Sequence, residues 1–147
     1  MKEEDFNKLH GYFIEDLKIG QQAILAKTVT ESDIILFASI TGDNNPVHIS
    51  NDFAKKTIFR KKVAHGFLTA SLISTVIGTK LPGPGSIYVK QTINFCAPVF
   101  SGDDVLIKVT VNNINLKTKR VGLITVCEKD GKKIIDGEAQ ILVQSKH

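Results

Sequence analysis

The chain has 147 residues, 42% hydrophobic and 23% charged. That is enough for one domain with a substantial core, and too ordinary for a disordered or fibrous protein. The formal net charge of +4 would help attract an anionic ligand but does not imply nucleic acid. No apolar run reaches the roughly 18 residues of a membrane span, so no membrane insertion is expected. Cys96 and Cys127 are too few for a disulfide framework or a zinc ribbon and read as reduced packing thiols. The polar start MKEEDFNKLH lacks the apolar core of a secretory signal, so the expected location is cytoplasmic.

In chain order, residues 1–10 read as a peripheral tail and Gln22 to Val29 as a first strand. Thr30-Glu31-Ser32-Asp33 resembles a capping box with Asp in place of the usual Glu or Gln. Ile34, Phe37, Ala38 and Ile40 follow at helical spacing, which predicts a short helix to about Ile40, stopped by Gly42. The next run, Thr41 to His48 (TGDNNPVH), is expected to be an irregular, stiff loop. Gly42 frees the backbone, Asn44 and Asn45 tolerate left-handed dihedrals, and Pro46 fixes its own φ and restricts Asn45. Ser50 can cap a second short helix.

Ala64 to about Lys80 is apolar almost all round, the pattern of a helix buried on most sides, and Leu81-Pro82-Gly83-Pro84-Gly85 ends it. Ser86 to Phe95 is β-prone, and Pro98 marks where a central strand cannot continue. Val105 to Val111 and Val121 to Cys127 alternate with period two, Asp130-Gly131 is a hairpin signal, and Ile134 to Val143 returns as a last strand. One strand, then helices, then four strands predict an α+β fold: a curved, mostly antiparallel sheet wrapped around one long central helix, with residues 1–147 as a single domain.

Asp43 and His48 are the acid–base candidates, because imidazole titrates nearest neutral pH and a carboxylate can be tuned by a dry cleft. Taken alone, the run reads sooner as an Asp/Asn turn capping its own backbone, with His48 merely nearby. Gly66 opens the buried helix, where free N–H groups and the helix dipole suit an oxyanion, although a plain packing glycine reads the same way. His65 reads as neutral and structural, and Leu72, Ile73, Val76 and Ile77 as core. Lys55, Lys56, Arg60, Lys61 and Lys62 form either a solvated surface or a patch for ligand phosphates. The PGPG segment lacks a Walker lysine, and there is no HExxH, metal-ligand cluster or Ser-His-Asp elbow. No metal is expected, and no cofactor.

The run Phe37 to His48, followed after five residues by Ala54, resembles the signature of the (R)-specific enoyl-CoA hydratases, the hydratase-2 or MaoC-like branch of the hot-dog fold. Val63-Ala64-His65-Gly66-Phe67-Leu68, Gly85-Ser86-Ile87-Tyr88 and Phe95 to Asp103 are similar to its later segments, so the likeness runs from about Tyr12 to Val143. Phe67 stands where methionine is common, which bears on pocket shape. The resemblance implies reversible addition of water to trans-2-enoyl thioesters, with Asp43 and His48 as the catalytic dyad, Gly66 as oxyanion donor, and Asn45 and Ser74 orienting the site. It further implies an acyl-CoA or acyl carrier protein substrate and a homodimer. Phe67 and Ile77 would then shape the acyl tunnel, and Lys55, Arg60 and Lys62 would contact phosphate. Two alternatives keep the same scaffold: a hot-dog acyl-CoA thioesterase and a non-catalytic acyl-thioester-binding module.

Overall fold

A computed structural model describes residues 1–147. Short helices α1 (Glu3–Leu9), α2 (Glu31–Thr41), α3 (Pro46–Ile49) and α4 (Asn51–Ala54) precede the long helix α5 (Gly66–Thr79). The strands are β1 (Gln22–Thr28), β2 (Ile87–Gln91), β3 (Asn94–Phe95), β4 (Asp104–Asn115), β5 (Arg120–Lys129) and β6 (Lys132–Leu142). They form one antiparallel sheet in the order β1-β4-β5-β6-β2, with β3 also on β6. The α+β expectation of a sheet built against one long helix holds. No helix is long and apolar enough to cross a membrane.

The period-two pattern of the sequence decides which side of the sheet meets α5. Val105, Ile107, Val109 and Val111 of β4 are buried, as are Val121, Leu123, Thr125 and Cys127 of β5. Their alternate neighbours face outward, as a pleated strand requires. From the helix, Leu72, Ile73, Val76 and Ile77 enter the same apolar cluster. Thr125 is tolerated there because Gln91 Nε2 donates to its hydroxyl at 2.9 Å. Burial pushes the Cys127 thiol up to about 12, which makes it the inert packing residue expected.

Three expectations change. The strand from Ser86 to Phe95 is broken into β2 and β3, because the chain crosses tightly over β6 at Gly137. A Cβ at Gly137 would lie 1.8 Å from the Thr92 carbonyl oxygen, so only glycine permits the crossing. The long helix is not buried on most sides: Phe67, Ser71, Ser74, Thr75 and Gly78 form an exposed face. The supposed tail contains α1, none of whose residues is buried.

Candidate active site

The predicted capping box starts α2 as written. Thr30 Oγ1 accepts from the Asp33 N–H at 3.1 Å, and Asp33 Oδ2 accepts from the Thr30 N–H at 2.9 Å. Lys27 Nζ reaches the same carboxylate at 2.7 Å. That ammonium, with the Thr30 N–H, holds the Asp33 carboxyl below its ordinary value. Helix α2 ends at Gly42, whose φ of 76° is left-handed, and the Gly42 N–H closes on the Ala38 carbonyl.

Beyond Gly42 the chain is less irregular than its composition suggests. Thr41 Oγ1 accepts from the Asp43 N–H, and Asp43 Oδ1 from the Asn45 N–H at 3.3 Å. Asn45 Oδ1 accepts from the Val47 N–H at 3.2 Å, which caps the single helical turn α3 with Pro46 in its first position. His48 therefore stands on a turn of helix rather than on a free loop. Ser50 caps α4 through the Phe53 N–H, as expected. The segment is tied down where Val63 N–H donates to the Val47 carbonyl and Ala64 N–H to the Val99 carbonyl.

These ties set the histidine tautomers. His48 Nδ1 lies 2.6 Å from the Val63 carbonyl, which can only accept, so Nδ1 carries the proton and Nε2 keeps a free lone pair. His65 Nε2 lies 2.9 Å from the Asp43 carbonyl and carries its proton for the same reason. The two rings stack with centroids 3.9 Å apart. One polar atom from each of Asp43, His48 and His65 falls within 4.8 Å of the others, a spacing that one water molecule can bridge. The same three residues are close enough to hold a metal ion, a grouping that no spacing in the sequence announced.

A cavity of about 420 Å³ opens beside this group. Asn45, His48 and Gly66 line it, together with Thr69, Phe95 and Cys96, and most of the wall is apolar. Asp43 is not part of that wall and remains exposed. The Gly66 and Phe67 N–H groups, first in α5, donate to no acceptor in the protein. A Cβ on Gly66 would meet the Phe95 ring at 2.7 Å, so a larger residue would have to displace that ring, a close approach that the sequence did not disclose.

Other predicted residues fall elsewhere. Ser74 is exposed, its side chain makes no hydrogen bond, and it is not part of the cavity wall; Ile77 is 1% exposed within the core. Phe67 is 64% exposed and packs on Phe95 with ring centroids 5.6 Å apart. Lys62 is ion-paired with Glu31, and Lys61 lies over the Phe100 ring at 4.1 Å. Lys55 and Arg60 remain at the surface, Arg60 in a left-handed conformation with φ 61°. Cys96 corrects the packing-thiol expectation: it is exposed at the cavity, while only Cys127 is buried. Thr69 was missed, although three positions beyond Gly66 places it on the same helix face.

An antiparallel sheet packed against one long helix, with a cavity at that helix's amino end, defines a hot-dog protein. The family model described as MaoC like domain matches residues 17–132, and the chain belongs to that family. It is 48% identical over 135 residues to an (R)-specific enoyl-CoA hydratase of Rhodospirillum rubrum, covering 92% of this chain and 94% of that protein. It is 45% identical to a 3-hydroxybutyryl-CoA dehydratase of Methylorubrum extorquens, covering 95% and 88%. Among solved structures, unliganded R-hydratase PhaJ1 from Pseudomonas aeruginosa superposes with a TM-score of 0.87 at 39% identity, covering 92% and 88%.

Proposed function

We propose that the protein is an (R)-specific enoyl-CoA hydratase, a hydro-lyase that reversibly adds water across the double bond of a trans-2-enoyl thioester. The observation that carries this reading is the free Nε2 of His48, a residue that lines an apolar cavity together with Gly66, whose unpaired N–H opens α5. Relatives over nearly the full chain bear the matching names.

In this reading the thioester carbonyl points at the Gly66 N–H, where the amides and the helix dipole stabilise the charge that builds on oxygen. A water held between Asp43 and His48 attacks C3. Its proton passes to His48 Nε2 and from there to C2, so water is consumed whole and no bond to sulfur breaks. Asp43 accepts the water's other hydrogen bond and aims it. The roles of Asn45 and Ser74 divide: Asn45 shapes the turn beneath His48 through the Val47 cap, whereas Ser74 lies on the exposed face of α5.

A second subunit belongs to the proposal. Strand β2 is a sheet edge with Ile87, Tyr88 and Val89 exposed; pairing of two β2 edges in a homodimer would hide it. A cytoplasmic acyl-CoA or acyl carrier protein thioester is the substrate class, with the exposed Lys55 and Arg60, held only by a loose Asp52 pair and a Lys55 carbonyl contact, offered to its phosphates, and Lys62 already neutralised by Glu31.

The test is incubation with crotonyl-CoA while following enoyl absorbance and free thiol. Absorbance should fall without thiol release. Thiol release would instead make the protein a thioesterase, and no change in either would leave an acyl-binding module.

A further inference from the structure

Two buried polar atoms near the dyad have no partner: His65 Nδ1 and Thr69 Oγ1. Such atoms are rare in folded proteins because they are costly to leave unpaired. Four other hydroxyls on or beside helices behave differently. Thr41, Thr57, Ser71 and Thr79 each donate to a carbonyl three or four residues back, at 2.6–2.7 Å. Thr69 does not, although the residue is 1% exposed.

His65 and Thr69 stand four positions apart at the start of α5 and so share a face, and the Thr69 side chain leans back over the turn that His65 opens. The His65 tautomer leaves a lone pair on Nδ1, and a threonine hydroxyl can donate to it. Turning Thr69 between the two χ1 rotamers that helical threonine populates is the movement that would close this bond. His65 itself is 2% exposed, clamped between the Phe37 ring at 4.9 Å and the His48 ring at 3.9 Å. Its other nitrogen holds the Asp43 backbone.

We propose that His65 and Thr69 are a positioning pair for the dyad: the Thr69 hydroxyl turns to donate to His65 Nδ1, locking in place the ring whose Nε2–H grips the Asp43 carbonyl and which supports His48. Neither residue touches the reacting atoms. Both dyad members are thereby aligned by one side chain, which rests on the hydratase reading for its catalytic meaning but not for its structural content.

Two measurements separate those levels. Nitrogen-15 NMR of the imidazoles should show His65 protonated at Nε2 throughout, with Nδ1 at a hydrogen-bonded shift in the wild type and Thr69→Ser and at that of a bare lone pair in Thr69→Val. In crotonyl-CoA hydration, Thr69→Val should lower kcat about three- to tenfold with KM little changed, and Thr69→Ser should restore it. His65→Phe, which keeps a ring but no donor, should cost about 10–100-fold in kcat. His65→Gln, which keeps an N–H for the Asp43 carbonyl, should retain more. Adding Thr69→Val to His65→Phe should cost nothing further, since Thr69 acts through His65. An Nδ1 resonance unchanged in Thr69→Val, multiplying effects in the double variant, or Phe outperforming Gln would overturn the pairing. Wild-type protein with the expected Nδ1 shift but no hydration of crotonyl-CoA would sink the hydratase reading alone.

Discussion

Between Thr41 and His65 the chain buries only Ala54, Val63, Ala64 and His65, whereas Val105 to Val111 and Val121 to Cys127 bury every second residue. The first region is held by hydrogen bonds from side chains to nearby backbone, such as Asp43 to Asn45, Asn45 to Val47 and Ser50 to Phe53. The second is held by branched aliphatic side chains packed under α5. Directional bonds fix where a carboxylate and an imidazole point, while burial is indifferent to direction and supplies stability. Chemistry and folding strength are thus carried by different residues, and variants should separate them.

The largest separation is expected at the dyad. Asp43→Asn or His48→Ala should lower turnover of crotonyl-CoA by roughly 10²–10⁴-fold, the range for a positioned acid or base. Thermal melting should move little, because neither residue belongs to the core cluster. Cooperative unfolding lost in either variant would break the comparison outright. In the opposite direction, Ile107→Ala removes a fully buried side chain of β4 and should cost about 2–5 kcal/mol by denaturant titration. Its kcat, corrected for the folded fraction, should stay near the wild-type value; a large fall would mean that the sheet tunes the site.

The smallest effect sharpens the boundary between the regions, where α2 feeds the active segment. Asp33→Asn loses the Lys27 pair and weakens the capping box, for about 1 kcal/mol of stability. The sign with pH follows from the lowered Asp33 carboxyl. A carboxyl more acidic in the folded than in the unfolded chain stabilises above its ordinary pKa, and that contribution fades as pH falls through the lowered folded value. Melting curves of wild type and variant should therefore converge in acid and separate towards neutrality. A gap that persists unchanged in acid would assign the stabilisation to something other than the carboxylate.

Much of the architecture was legible because its signals are local. Capping at Thr30 and Ser50, the stop at Gly42, the β4 and β5 alternation and the Asp-Gly hairpin all involve residues a few positions apart. The Asp43–His48 segment was legible for the same reason, apart from the helical turn that Asn45 and Pro46 start together. What stayed hidden depends on residues distant in the chain. Gly137 is needed because Thr92 crosses it, Gly66 is crowded because Phe95 lies against it, and Lys62 is occupied because Glu31 reaches it. No spacing rule reports such encounters.

The amino-acid order by itself determined the element types, the inward faces of the strands, and an acid and an imidazole brought together by a short, pre-set segment. Only the tertiary structure decided which nitrogen of His48 is left free, that His65 stacks beneath it, that Ser74 points away, and that Cys96 is open while Cys127 is sealed. The division has a physical cause. Backbone dihedrals and capping bonds are set within a turn or two of chain, whereas tautomers, ion pairs and cavity walls are set by whichever group the completed fold brings alongside.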